Sequence, residues 1–124
     1  MNDGLGQNPT QTWPVPRFMG KTRKAWAIFD GSASALTVKD VWPADLLTLA
    51  GAAGFSGVWS VNQSILPPSA NMNTIVRCTV SGGGNGYNCQ ARATYASNQL
   101  TVETYANSST PASVGVPVYV EFWA

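Results

Sequence analysis

Apolar and small polar residues alternate with a period of two along most of this chain, in short runs that end at Gly, Pro, Asn, Asp or Ser. That pattern predicts half-buried β-strands joined by turns. A first strand is expected at 24–29, followed by the turn Asp30-Gly31-Ser32 and a second run at 33–39. Further strands are expected at 46–49, 57–62, 74–80, 89–95, 99–105 and 117–123. About eight strands at this spacing predict an all-β fold, an antiparallel β-sandwich of jelly-roll-like character. In the last strand, Val118, Val120 and Phe122 point one way and Tyr119, Glu121 and Trp123 the other,. One segment admits a rival reading: 40–51 has an N-cap candidate in Asp40 and a proline at 43, so a short helix competes with a strand there,.

Ahead of the strands, residues 1–22 have a different texture, and the pattern divides the chain into an arm over 1–22 and a sandwich domain over 23–124. Gly4, Gly6, Pro9, Pro14, Pro16 and Gly20 break regular structure, and Pro14-Val15-Pro16 favours an extended run,. The apolar residues Trp13, Val15, Phe18 and Met19 are too few for a core of their own. They pack on their own domain or dock on a neighbour, and the residues expected to make an attachment are Trp13, Pro14, Pro16, Arg17 and Phe18.

Charge sharpens this division. The 124 residues carry seven basic and six acidic side chains, a net charge of +1. Only Arg77, Arg92, Glu103 and Glu121 lie beyond Leu46, whereas Arg17, Lys21, Arg23 and Lys24 cluster near the arm. So small a net charge gives no electrostatic case for nucleic acid or an anionic membrane as partner. No basic and then apolar leader opens the sequence, and no apolar stretch of 18 residues follows, so synthesis in a cytosol is expected, without membrane insertion,. The triplets Asn62-Gln63-Ser64 and Asn107-Ser108-Ser109 match a glycosylation pattern but need a secretory route to matter,.

The chain contains no histidine, which excludes the common serine and cysteine triads,. Asp30, Asp40, Asp45, Glu103 and Glu121 are dispersed, with no spacing that demands a carboxylate pair,. The glycines at 82–86 lack the Gly-Lys-Ser/Thr ending of a phosphate loop and read as a hairpin tip,. No catalytic residue, metal site or cofactor is expected. Cys78 and Cys89 flank that tip. If they pair across it, both sulfurs face the apolar side, either as buried free thiols or as a cross-strand disulfide formed in an oxidising medium. Two thiols without histidine cannot close a zinc shell. The strand aromatics Trp26, Phe29, Trp59, Tyr95, Tyr105, Phe122 and Trp123 are expected in the core or at a subunit contact, with a sugar-stacking platform as the other use,.

Three segments carry a family resemblance. Lys24-Ala25-Trp26-Ala27-Ile28-Phe29-Asp30-Gly31, then Gly57-Val58-Trp59-Ser60-Val61-Asn62, then Pro68-Ser69-Ala70-Asn71 resemble the motifs of a domain found in tailed-bacteriophage tail-fibre and other virion proteins. Trp59 stands where that family commonly has tyrosine, and Met72 where it has an aromatic residue. The resemblance spans about 24–123 and implies a non-enzymatic virion protein. It would be a short tail-fibre-type exterior subunit, homotrimeric through its sandwich and held to tail or capsid by the arm. It also leaves open a head cement or decoration subunit, and a module that reads host-surface glycan through the loops at 63–73, 81–88 or 106–116.

Overall fold

The computed structural model describes residues 17–18, 20–67, 74–81, 89–106 and 109–124. Among them the chain is all β, with strands β1 Arg17–Phe18, β2 Lys21–Asp30, β3 Thr37–Trp42, β4 Leu47–Ala53, β5 Ser56–Val61, β6 Ile75–Val80, β7 Cys89–Ala96, β8 Gln99–Ala106 and β9 Val118–Trp123. Every pairing is antiparallel. One sheet runs β1-β2-β9-β6, with β3 also on β2, and the other runs β4-β5-β8-β7. The antiparallel β-sandwich expected from the pattern is the fold observed. The sheet begins earlier than the expected boundary, because β1 and the first residues of β2 fall within 1–22. Of the residues expected to make an attachment, Trp13, Pro14 and Pro16 lie outside the described residues, and of Arg17 and Phe18 only the backbone pairing with Thr22 and Lys21 is described.

The core lies between the sheets and is built from the inward set of each strand. Ala25, Ala27 and Phe29 of β2 with Val118, Val120 and Phe122 of β9 face Trp59 and Val61 of β5 with Leu100 and Val102 of β8. Phe29 meets Trp59 with ring centroids 4.7 Å apart, and Tyr95 meets Phe122 edge-on at 5.8 Å, favourable geometries for aromatic pairs. Thr104 is the polar member of this layer. Its hydroxyl lies 2.8 Å from the Ala112 carbonyl, which meets the requirement that a buried polar group be bonded,.

Local chemistry sets the turns. Asp30 Oδ1 accepts from the Ser32 amide at 2.9 Å and the Ser32 hydroxyl at 2.6 Å, closing the turn after β2,. Ser97 and Asn98, with φ of 52° and 59°, form a two-residue connection between Ala96 and Gln99. Positive φ at both central positions is the geometry that joins twisted strands in a tight hairpin.

Two expectations fail here. The helix considered for 40–51 does not form: the Leu46 amide bonds the Pro43 carbonyl in a turn, and Leu47 then enters β4. The Cys78–Cys89 hairpin does not form either, because β6 pairs with β9, placing Cys78 opposite Val120, while β7 pairs with β8, placing Cys89 opposite Ala106. The tight turn at 97–98 claims β7 for β8, and β9, already paired along β2, offers its second edge to β6. The glycine-rich tip itself, 82–88, lies outside the described residues.

Candidate functional site

The outer face of the first sheet is covered at its centre. Glu121 and Trp123, expected to face outward, do so and are nonetheless buried. β9 is an interior strand, and its neighbours supply the cover: Arg77 of β6 approaches Glu121 to 3.3 Å and Arg23 of β2 to 3.8 Å, and Arg23 also donates to the Tyr119 hydroxyl at 2.9 Å. Beside this ladder, Trp26 lies 6.3 Å from Tyr119 and pairs across β2–β3 with Trp42, whose side chain is 54% exposed.

On the outer face of the second sheet, Arg92 Nη2 lies 2.8 Å from Glu103 Oε1, and the Tyr105 hydroxyl donates to Glu103 Oε2 at 2.9 Å. The Arg92 guanidinium stands 5.9 Å from the centre of the Tyr105 ring. The hydrogen bonds from Arg92 and then Tyr105 hold the Glu103 carboxyl below the ordinary range, and the bond to Glu103 pushes the Tyr105 phenol up,. Gln90, Arg92, Tyr105 and Ser109 line a shallow hollow of about 270 Å³ beside the loop that follows β8.

An apolar opening lies where the two sheets part. Leu36, Val38 and Val41 on one side and Leu47, Leu49 and Trp59 on the other line a cleft of about 330 Å³ between the edge strands β3 and β4. Leu49 is 59% exposed although it pairs with Trp59, an inward residue of β5. The edges differ in charge. β3 carries Lys39 and Asp40, β6 carries Arg77 and β7 carries Arg92, whereas β4, Leu47-Thr48-Leu49-Ala50-Gly51-Ala52-Ala53, has no charged residue and no proline. The chain has no charge at all over 46–76.

The cysteines are both half-buried thiols, not joined in a disulfide, on strands of different sheets. Burial pushes the Cys78 thiol up to about 11, which keeps it protonated and unreactive at neutral pH. Among the described residues no cluster of three or more His, Cys, Asp or Glu side chains is placed to hold a metal ion, and no helix is long and apolar enough to cross a membrane. No protein-family model matches the chain, and searches of curated proteins and of solved structures return no match either.

Of the aromatic residues singled out in the sequence, Phe29, Trp59, Phe122 and Trp123 are buried, while Trp26, Tyr95 and Tyr105 are half-buried. The exposed pair Trp42 and Leu49 was not singled out. For Leu49 the signal is compositional, an edge strand without charge, and it becomes readable only once β4 is known to be an edge; Trp42 lies on β3, which carries Lys39 and Asp40,.

Proposed function

We propose that the protein is a non-enzymatic structural subunit of a bacteriophage particle, of the short tail-fibre type. Its sandwich bodies associate as a homotrimer, and the segment ahead of β1 attaches them to tail or capsid. The observation that carries this reading is the uncharged open edge at β4, an apolar surface of the kind that marks a protein contact,. The resemblance to virion proteins supplies the setting, and its first two motifs fall on β2 and β5, whose Phe29 and Trp59 meet in the core. Deleting residues 1–16 tests the attachment. The truncated protein is expected to fold with unchanged near-ultraviolet circular dichroism and to be absent from purified particles; normal incorporation would overturn this role for the arm. Particle reconstruction distinguishes a tail position from that of a head cement subunit.

The hollow beside Tyr105 favours a second reading, in which the same subunit binds host-surface glycan. A tyrosine ring offers a sugar a stacking face, and Gln90, Arg92 and Ser109 offer it hydrogen-bonding groups,. A glycan array decides it: specific binding that Tyr105→Ala removes supports this use, and an array without signal retires it.

A further inference from the structure

In the hollow beside Tyr105 the nearby carboxylate is already in use. Glu103 accepts on Oε1 from Arg92 Nη2 at 2.8 Å and on Oε2 from the Tyr105 hydroxyl at 2.9 Å, and it does not itself line the hollow. What the hollow presents instead is a cation. Arg92 spends only Nη2 within the protein, on Glu103 and, at the outer limit of 3.5 Å, on the Tyr105 hydroxyl, so its Nε and Nη1 have no partner among the described residues. The other polar side chains of the hollow, Gln90 and Ser109, are neutral. We infer that the hollow takes a sugar bearing a carboxylate, a uronic or sialic acid residue, with the acid group on the open N–H groups of Arg92 and the ring against Tyr105. This rests on the glycan reading above and names the class of ligand.

Three features favour an acid over a neutral sugar. A guanidinium suits a planar, two-oxygen acceptor, and its bonds to an ionised group are stronger than those to a hydroxyl. Arg92 is also held in place before any ligand arrives, by Glu103 and by the Tyr105 ring, whose centre lies 5.9 Å from the guanidinium carbon. Less side-chain freedom is then lost on binding than an unanchored surface arginine would lose. Finally, no second carboxylate opposes the acid: beyond Asp45 the chain has only two acidic side chains, Glu103 and Glu121, and Glu121 lies on the other sheet. A neutral sugar, whose hydroxyls donate as well as accept, is best met by a carboxylate with oxygens to spare, and each oxygen of Glu103 is already taken. At about 270 Å³ the hollow falls just below the range of pockets that enclose drug-sized ligands, which gives room for one sugar ring,.

The test uses the full-length protein on an array of uronate- and sialate-bearing oligosaccharides, each beside its carboxyl-reduced, neutral counterpart. The wild type is expected to bind acidic members and to lose them on carboxyl reduction. Arg92→Gln, which keeps a polar side chain without the charge, should weaken that binding by about tenfold or more, the scale of a lost hydrogen bond to a charged group. Arg92 is exposed, so folding is expected to survive, and circular dichroism checks it. Thr94→Gln, an exposed change two residues further along β7, should bind as the wild type does. Equal binding of acidic and reduced members, or acidic binding that Arg92→Gln leaves unchanged, would overturn the assignment of an acidic sugar while leaving the glycan reading in place. An array without signal would overturn both.

Discussion

Glu103 and Glu121 both pair with arginine, yet they occupy different settings. Glu121 sits buried between Arg23 and Arg77 on three successive strands, β2, β9 and β6, and ties the first sheet together across its outer face. Glu103 is more open, and its pairing is local, to Arg92 on the neighbouring strand and to Tyr105 two residues on. Because Glu103 is held below its ordinary value of about 4.3, its contribution to stability is complete at neutral pH and is lost as pH falls through the folded value,. Urea titrations of the wild type and Glu103→Gln should therefore differ at pH 7 and converge only once pH has fallen below the ordinary carboxylate range and through the folded value of Glu103,. A difference that stays constant down to pH 2 would contradict the pairing. Cys78 gives a second test. With its thiol pushed up to about 11 by burial, it should resist iodoacetamide at pH 8 in the native protein and react on unfolding in urea,. Prompt alkylation of Cys78 in the native state would show that β6 is more open than its packing implies.

Strand β5 depends on a residue without a side chain. A Cβ at Gly57 would overlap the Trp59 ring, which lies back over that position and so reaches Phe29. Gly57→Ala is expected to cost about 1–3 kcal/mol, seen as a lower urea midpoint with an unchanged slope. An unchanged midpoint would mean that the ring moves aside freely. The existence of the long strands was legible in the sequence because alternation is a local signal: the run at 89–95 appears as β7 with its alternation intact, and that at 74–80 as β6, whereas the runs expected at 33–39 and 46–49 are displaced to 37–42 and 47–53. Partner choice was not legible. Cys78 and Cys89 flank a short glycine-rich stretch, which suggests a hairpin, yet β6 pairs with a strand some forty residues further on. Nothing in the local pattern of β6 records that β9 has a free edge. The same limit hid the candidate surface, since Leu49 has the composition of a core residue and becomes a surface residue only because the sandwich stays open between β3 and β4.

The two sheets draw on different parts of the chain. The second sheet is built entirely from segments between Leu47 and Ala106, with β4–β5 and β7–β8 formed as hairpins and only β5–β8 reaching further. In the first sheet, β9 stands between β2 and β6, and Thr22 and Ala124 exchange backbone bonds at 3.1 and 3.0 Å where the first long strand meets the end of the last. On a ribosome adding residues at roughly 5–20 per second, the second sheet can pair early, while β2 and β6 wait for a strand that has not yet been made. Folding of the sandwich is therefore expected to follow release of 118–123 from the exit tunnel. Nascent chains stalled just short of β9 should be cleaved by protease within β2 and β6 while β7–β8 is protected, and equal protection throughout would contradict this order. Until that moment β2, with its buried set Ala25, Ala27 and Phe29, presents an apolar strand to its surroundings. The timing of synthesis, as much as the finished packing, sets how long this protein is exposed to aggregation.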